Sequence, residues 1–202
     1  MTKLKKYLNK GLTEAGCDEA GRGCLAGPVF AAAVIMPENF ALPLLDDSKK
    51  LSKRIRYELR EKIVAIAESW AVACVDNKII DKINILNASF LAMHKAIKKL
   101  DVEPGFLLID GNRFKPYKSI PYSCIIKGDG KFCAIAAASI LAKTYRDDFM
   151  EKIHKQFPEY DWVNNKGYPT AKHRFAISEK GITSYHRKTF RLLNNQVKMR
   201  FS

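Results

Sequence analysis

An unbroken apolar run, Val29–Met36, most restricts the fold of this chain of 202 residues. A run of this length is far too short to span a bilayer and is typical of a buried strand. A second strand is predicted over Ala15–Glu19, just before it, with the glycine turn Gly21-Arg22-Gly23 between the two. Because neighbouring strands of this kind bury both faces, the sequence predicts that a sheet begins here and that other elements cover it.

The rest of the chain alternates between strand and helix patterns. The predicted strands are Trp70–Val75, Phe106–Ile109 and Tyr122–Ile126; the predicted helices follow a cap at Ser52, cover Leu86 to Asp101 and cover Lys131–Lys155. Beyond Phe157 a loop rich in turn-forming residues precedes helical segments that we expect to continue to the end of the chain. Strands interleaved with helices predict an α/β layered domain with a mixed strand order.

Length and cysteine content point to one reduced domain. The whole of 1–202 fits a single unit that needs no disulfide or structural metal to bury a core. The five cysteines form no CxxC pair and lie in or beside apolar patterns, which favours reduced, mostly buried thiols. The lysine-rich first ten residues lead into no apolar signal segment, so we expect a cytoplasmic protein, and no dimerisation device suggests more than a monomer.

The charge of the chain points to a polyanionic partner. The formal net charge is +14, and from Val163 to Ser202 the only acid is Glu179. The basic residues of this segment are Lys166, Lys172, Arg174, Lys180, Arg187, Lys188, Arg191, Lys198 and Arg200. Such a segment predicts a surface that follows phosphates, although a solvated basic face is the alternative.

Acidic residues stand where predicted strands end. Asp18 and Glu19 precede the glycine turn, Asp110 ends the strand FLLID, and Asp129 lies in the turn KGDG. In a regular strand neighbouring side chains point to opposite faces, so Asp18 and Glu19 share one site only if the strand ends or bulges there. On that condition the four carboxylates can converge.

A cluster of four carboxylates requires cations, because packed like charges are costly unless they are neutralised. Hard oxygen ligands without histidine or cysteine nearby favour Mg²⁺ or Mn²⁺. The alternative is that these acids are ordinary turn residues and helix caps, since Asp before Gly is a common turn signal.

Eight motifs now carry a family resemblance. In order they are DEAGRG, LAGPV, DDSKKLS, LIDGNR, KGDG, AASILAKTYRD, KGYPTAKH and GITSYHRKTF. Together, from about Ala15 to Phe190, they resemble bacterial ribonuclease HII. One departure is Cys24, where the family usually has proline.

The resemblance implies an RNase H-like fold, a central mixed sheet flanked by helices, with a core over about 13–156 and a basic helical part over about 157–202 that contacts substrate. It implies an endonuclease that cleaves the RNA strand of RNA/DNA hybrids and nicks duplex DNA 5′ of embedded ribonucleotides. Its catalytic and metal-binding carboxylates fall on Asp18, Glu19, Asp110 and Asp129. Two divalent ions would orient the attacking water and stabilise the departing 3′ oxygen, leaving 5′-phosphate and 3′-hydroxyl ends.

The resemblance also implies which residues read the ribose. Backbone groups of Gly21, Arg22 and Gly23, together with Tyr168, would recognise the 2′-hydroxyl that separates RNA from DNA. On its residues alone Tyr168 is interpreted as an ordinary loop or packing aromatic. Ser48, Lys49 and Lys143 occupy motif positions that suggest phosphate or active-site contacts, with surface solvation as the alternative. His173 and His186 are interpreted as structural.

Two rival functions and one partner remain open at this stage. A non-catalytic nucleic-acid-binding module would explain the basic charge but not the four acids, and another RNase H-like metal-dependent nuclease acting on DNA would have no 2′-hydroxyl to read. The segment Gln196–Phe201, QVKMRF, resembles peptides that dock on replication sliding clamps. Its alternative is an ordinary basic chain end.

Overall fold

A computed structural model describes residues 4–46, 48–49 and 51–193. Its strands are β1 (Glu14–Ala20), β2 (Val29–Ile35), β3 (Ser69–Val75), β4 (Phe106–Asp110) and β5 (Tyr122–Ile125). Its helices are α1 (Lys53–Ile66), α2 (Asn77–Lys98), α3 (Cys133–His154), α4 (Trp162–Asn165) and α5 (Ala171–Lys180). Short 3₁₀ turns cover Gly128–Gly130 and Pro158–Tyr160.

The five strands form one mixed sheet in the order β3-β2-β1-β4-β5. β1 and β3 both pair antiparallel with β2, whereas β1–β4 and β4–β5 are parallel. All seven residues of β2 are buried, which explains its continuous apolar sequence. The mixed α/β sheet predicted from the sequence is therefore confirmed.

Helices cover both faces of this sheet. Alternate residues of β2 turn to opposite sides, so that Ala31 and Ala33 belong to the core shared with α2, and Ala32 and Val34 to the core shared with α1 and α3. The alanine run Ala136–Ala138 of α3 is fully buried in the second core. The helix lies so close to β1 that a Cβ added to Gly16 would stand 2.1 Å from the carbonyl carbon of Ala134.

Helix α2 begins earlier than predicted. It begins at Asn77 rather than near Leu86, and at Asn84 its backbone leaves the helical region with φ 64°. The Asn84 side chain accepts a hydrogen bond from the N–H of Asn87 at 3.1 Å and so caps a second helical segment. The periodicity in the sequence identifies only this second segment.

The prediction that helices continue to the end of the chain is wrong for residues 181–193, which contain no helix. Gly181 ends α5 at φ 79°, a conformation that favours glycine. The chain then runs beside the β1–β2 loop, where the Arg187 N–H donates to the Leu25 carbonyl at 2.8 Å and His186 bridges to Ala26. These bonds replace helical ones.

A third apolar cluster joins this C-terminal part to the β1–β2 loop and to the end of α3. It consists of Leu25, Ala26, Met150, Ile153, Tyr160, Trp162, Ala176, Ile177 and Leu192. The loop that follows the predicted catalytic strand is therefore packed against residues more than a hundred positions later. Among the described residues no helix has the length and apolar character needed to cross a membrane.

Candidate active site

The predicted acids meet at one edge of the sheet because β1 and β4 are parallel neighbours. Their pairing ends at Cys17 and Ile109, and Asp18 and Asp110 are the next residues of the two strands. A cleft of about 450 Å³ opens at this point, and its wall includes Asp18, Glu19 and Asp110. Three of the four predicted carboxylates therefore border one cleft.

Asp18 and Glu19 share the cleft although the strand neither ends nor bulges at them, so the condition stated from the sequence is wrong. β1 stays paired with β2 through Asp18, Glu19 and Ala20, so the two side chains do point to opposite faces. Both border the cleft because β4 pairs with β1 no further than Ile109, which leaves that side of β1 open. Glu19 also borders an adjoining pocket of about 270 Å³, on the α2 side, that includes Asn112 and Arg113.

Burial makes these carboxylates electrostatically unusual. Burial, followed by the charges of Glu19 and Asp110, raises the pKa of Asp18 well above its ordinary range. The pKa of Glu19 is also raised by burial, although Arg22, 3.0 Å away, opposes the shift. The pKa of Asp110 is raised by burial against a hydrogen bond that its Oδ1 accepts from the Gly128 N–H at 2.7 Å. The three groups repel one another, and a cation would relieve that repulsion.

Asp129 lies beside this group rather than on the wall of the cleft. It is only 2% exposed, and its charge contributes to the raised pKa of Asp110. The Lys49 ammonium, which does border the cleft, lies 3.2 Å from its Oδ2. A cationic side chain thus already occupies one oxygen of the fourth carboxylate.

The donor chemistry fits a hard divalent ion. Within the described parts of the chain no three His, Cys, Asp or Glu side chains are spaced to hold a metal as they stand. Asp18 and Asp129 are nevertheless buried, the charges of Asp18, Glu19 and Asp110 repel one another, and Asp129 already contacts the Lys49 ammonium. Carboxylate oxygens of this kind suit Mg²⁺ or Mn²⁺.

The predicted substrate contacts border the same cleft. They are Gly21, Arg22, Gly23, Ser48, Lys49, Lys143 and Tyr168. Ser48 is 5% exposed, and its hydroxyl lies 2.9 Å from that of Ser139, so it supports the cleft from within. Lys143 is bound to Asp147 through both carboxylate oxygens, and burial lowers its pKa.

Several residues that border or support the site stand out by no pattern in the sequence. Arg56 and Ser139 border the cleft, and the Ser139 hydroxyl lowers the pKa of Asp18 against the effect of burial. Arg146 and Arg187 are 1% and 0% exposed and bind the loop that follows β1. In the sequence, Ser139 is a serine within an apolar helix pattern, and the three arginines resemble any other basic residues.

The basic C-terminal segment offers fewer free cations than its composition suggests. Lys166 pairs with Glu151 at 2.6 Å, and Lys172 pairs with Asp161 at 3.0 Å. Arg174 donates to the carbonyls of Arg191 and Leu192, and Arg187 is buried. Lys198, Arg200 and the predicted clamp-binding segment Gln196–Phe201 lie outside the described residues.

The two histidines of this part are structural, as interpreted from the sequence. The Trp162 Nε1–H donates to Nε2 of His173 at 3.0 Å, and His173 Nδ1 contacts the Tyr168 carbonyl at 2.9 Å. Nδ1 of His186 accepts a hydrogen bond from the Thr183 N–H at 2.9 Å. Nε2 of His186 lies 3.3 Å from Nε2 of His173. This pattern requires both rings to be neutral, with the Nδ1–H of His173 holding the Tyr168 loop.

Comparisons with known proteins point to one family. The family model described as "Ribonuclease HII" matches residues 15–202. Ribonuclease HII of Bacteroides fragilis is 64% identical over 192 residues, which cover 95% of this chain and 96% of that protein. The crystal structure of ribonuclease H2 from Pyrococcus horikoshii has a TM-score of 0.73 at 25% identity and covers 89% of this chain and 94% of its own. In the PCNA:RNase HII complex from Archaeoglobus fulgidus the matching chain has a TM-score of 0.77 at 27% identity, with coverage of 92% and 98%.

Proposed function

Because this chain belongs to the ribonuclease HII family and is a ribonuclease H endonuclease, we propose that it hydrolyses the RNA strand of RNA/DNA hybrids and nicks duplex DNA 5′ of embedded ribonucleotides. One observation carries the proposal: the same cleft is bordered by the carboxylates of Asp18, Glu19 and Asp110, by the Gly21–Gly23 turn and by Tyr168. The carboxylates suit phosphodiester hydrolysis, and the turn with Tyr168 suits recognition of a ribose.

Asp18, Glu19, Asp110 and Asp129 would hold two Mg²⁺ or Mn²⁺ ions. When bound, these ions supply orientation of the attacking water and stabilisation of the departing 3′ oxygen. The Gly128 N–H binds Oδ1 of Asp110 at 2.7 Å and so orients that carboxylate at the cleft. Arg22 similarly holds one oxygen of Glu19 at 3.0 Å.

The Gly21–Gly23 turn and Tyr168 would read the ribose. The glycines allow the backbone to approach a sugar without a Cβ in the way. Tyr168, 43% exposed at the cleft, offers a flat face and a hydroxyl to the neighbouring nucleotide. Lys49 and Lys143 add positive charge near the reacting phosphate.

The test is cleavage of a labelled DNA duplex that contains one ribonucleotide, with Mn²⁺, Mg²⁺ or EDTA. We expect metal-dependent nicking directly 5′ of the ribonucleotide, with 5′-phosphate and 3′-hydroxyl ends, and none on an all-DNA duplex. Asp110→Asn should reduce the rate by at least ~10³-fold while duplex binding persists, because it removes a charged ligand from the site. Asp101→Asn, a matched change at an exposed aspartate, should leave the rate unchanged.

Other outcomes identify the rival functions. Cleavage of the all-DNA duplex at an equal rate would indicate a DNA nuclease. Binding without cleavage under any metal would favour a non-catalytic module.

We also propose a replication sliding clamp as a partner, bound through Gln196–Phe201. The proposal is supported by the sequence QVKMRF and by a structural relative that was solved with PCNA. Titration of a labelled peptide of this segment against a bacterial clamp tests it, with a peptide in which Gln196, Met199 and Phe201 become alanine as the control. Equal or absent binding of the two peptides would contradict it.

A further inference from the structure

The buried guanidinium of Arg187 makes three hydrogen bonds to the loop that follows β1. Its Nη2 donates to the Gly21 carbonyl at 2.7 Å, its Nη1 to the Arg22 carbonyl at 2.8 Å and its Nε to the Gly27 carbonyl at 3.0 Å. The residue is 0% exposed and no carboxylate lies among these hydrogen-bond partners. Burying a guanidinium without a salt-bridge partner costs several kcal/mol unless its hydrogen bonds compensate. A structural role for these three hydrogen bonds would explain why the charge is buried here.

The geometry of the peptide unit shows what the hydrogen bonds of Arg187 do to the turn. The chain has no cis peptide bonds among the described residues, and in a trans unit the carbonyl and the next N–H point in opposite directions. When the carbonyls of Gly21 and Arg22 point into Arg187, the N–H groups of Arg22 and Gly23 point away from it. Among the described residues neither of these N–H groups donates to a protein acceptor, and both residues border the cleft.

A second arginine fixes the other side of the same loop. Arg146 donates to the carbonyls of Pro28, Lys166 and Ala26 at 3.1, 2.8 and 3.2 Å. It thereby ties the β1–β2 loop to the segment that carries Tyr168. Its Nε would stand 2.0 Å from a Cβ added to Gly21, so the turn is enclosed between the two guanidinium groups.

We propose that Arg187 is a positioning residue that aims the N–H groups of Arg22 and Gly23 into the cleft and so sets the preference for a ribonucleotide. The inference rests on the proposed function, because the 2′-hydroxyl is the acceptor that these two donors would meet. Arg187 itself touches neither substrate nor metal, and it acts only through the direction of two peptide planes.

The test measures preference in binding rather than activity alone. In the Asp110→Asn background with Mn²⁺, the affinities for a duplex with one ribonucleotide and for the same all-DNA duplex are compared by fluorescence anisotropy. Arg187→Met and Arg187→Lys should reduce the ratio of the two affinities by roughly tenfold, because misdirected donors lose hydrogen bonds to the 2′-hydroxyl. Binding of the all-DNA duplex should stay the same.

The control separates positioning from mere stability. Tyr160→Phe removes a hydrogen bond to the Gly181 carbonyl, 3.0 Å long, in the same C-terminal cluster without touching the turn. It should lower the melting temperature and leave the affinity ratio unchanged. Lysine keeps a positive charge but cannot reproduce the planar fork, so Arg187→Lys decides the matter if Arg187→Met does not fold.

An unchanged ratio in a folded Arg187→Lys protein would overturn the inference. A parent protein without any ribonucleotide preference would instead contradict the proposed function, and the inference would fall with it. The cleavage assay on the single-ribonucleotide duplex distinguishes these two failures.

Discussion

Gly21 and Gly23 stand two residues apart in the same turn, yet their surroundings impose different requirements. Gly21 has φ 97°, and a Cβ there would stand 2.0 Å from Nε of the buried Arg146. Gly23 has nothing within 4 Å of the equivalent position. The first glycine is required by backbone conformation and by space, whereas the second leaves room for a ligand.

We therefore expect Gly21→Ala to lower the free energy of unfolding by about 1–3 kcal/mol, because alanine is strained at this φ and collides with Arg146. Gly23→Ala, the matched change, should alter it by less than ~0.5 kcal/mol while it lowers affinity for the single-ribonucleotide duplex. Urea unfolding and the anisotropy assay measure the two effects. Equal unfolding free energies for both variants would contradict this account.

Among single residues, the sequence predicts the acids of the site better than the residues that hold the neighbouring loop in place. Asp18 follows the apolar part of a predicted strand and Asp110 ends one, a pattern that can be read without a structure. Arg187 looks like any other cation of the basic tail, because only the folded chain shows that its partners are carbonyls of residues 21, 22 and 27. Long-range contacts of this kind leave no periodicity in the sequence.

Among the elements, the close approach of α3 to β1 positions the first carboxylate. Gly16 lies two residues before Asp18. A Cβ added to Gly16 would stand 2.1–2.5 Å from backbone atoms of Ala134 and Ile135. Backbone cannot move aside as a flexible side chain can. The alanine-rich face of α3 predicts such proximity, and the kink at Asn84 of α2 does not follow from any comparable pattern.

Gly16→Ala should accordingly be among the most destabilising single changes, by about 3 kcal/mol or more, because helix and strand must separate to admit one methyl group. Gly130→Ala, where nothing lies within 4 Å of the added Cβ, is the matched control and should be nearly neutral. Thermal melting of the two variants checks this. A melting temperature for Gly16→Ala within a degree or two of the parent would show that α3 can shift freely.

For the molecule as a whole, the neutral histidine pair holds the C-terminal part against the catalytic loops. Burial, followed by the neighbouring His173, lowers the pKa of His186 from 6.5 to about 4, and burial lowers the pKa of His173. Both nitrogens of each ring are already committed to hydrogen bonds that need neutral imidazole. The buried acids change the pH dependence of stability in the opposite direction. A carboxyl group with a raised pKa binds its proton more readily in the folded state, so its contribution to stability grows as the pH falls.

The comparison of parent with His186→Asn isolates the histidine from those acids. Above pH 6.5 both states of His186 are neutral, and its contribution to stability is complete; as the pH falls towards 4, only the unfolded chain takes up the proton. The unfolding free energy of the parent relative to His186→Asn should therefore fall, at up to ~1.4 kcal/mol per pH unit across that window. Urea unfolding at intervals of pH measures the difference. A constant difference between parent and His186→Asn would contradict this prediction, because it would mean that the ring takes up its proton over the same pH range in the folded and unfolded states.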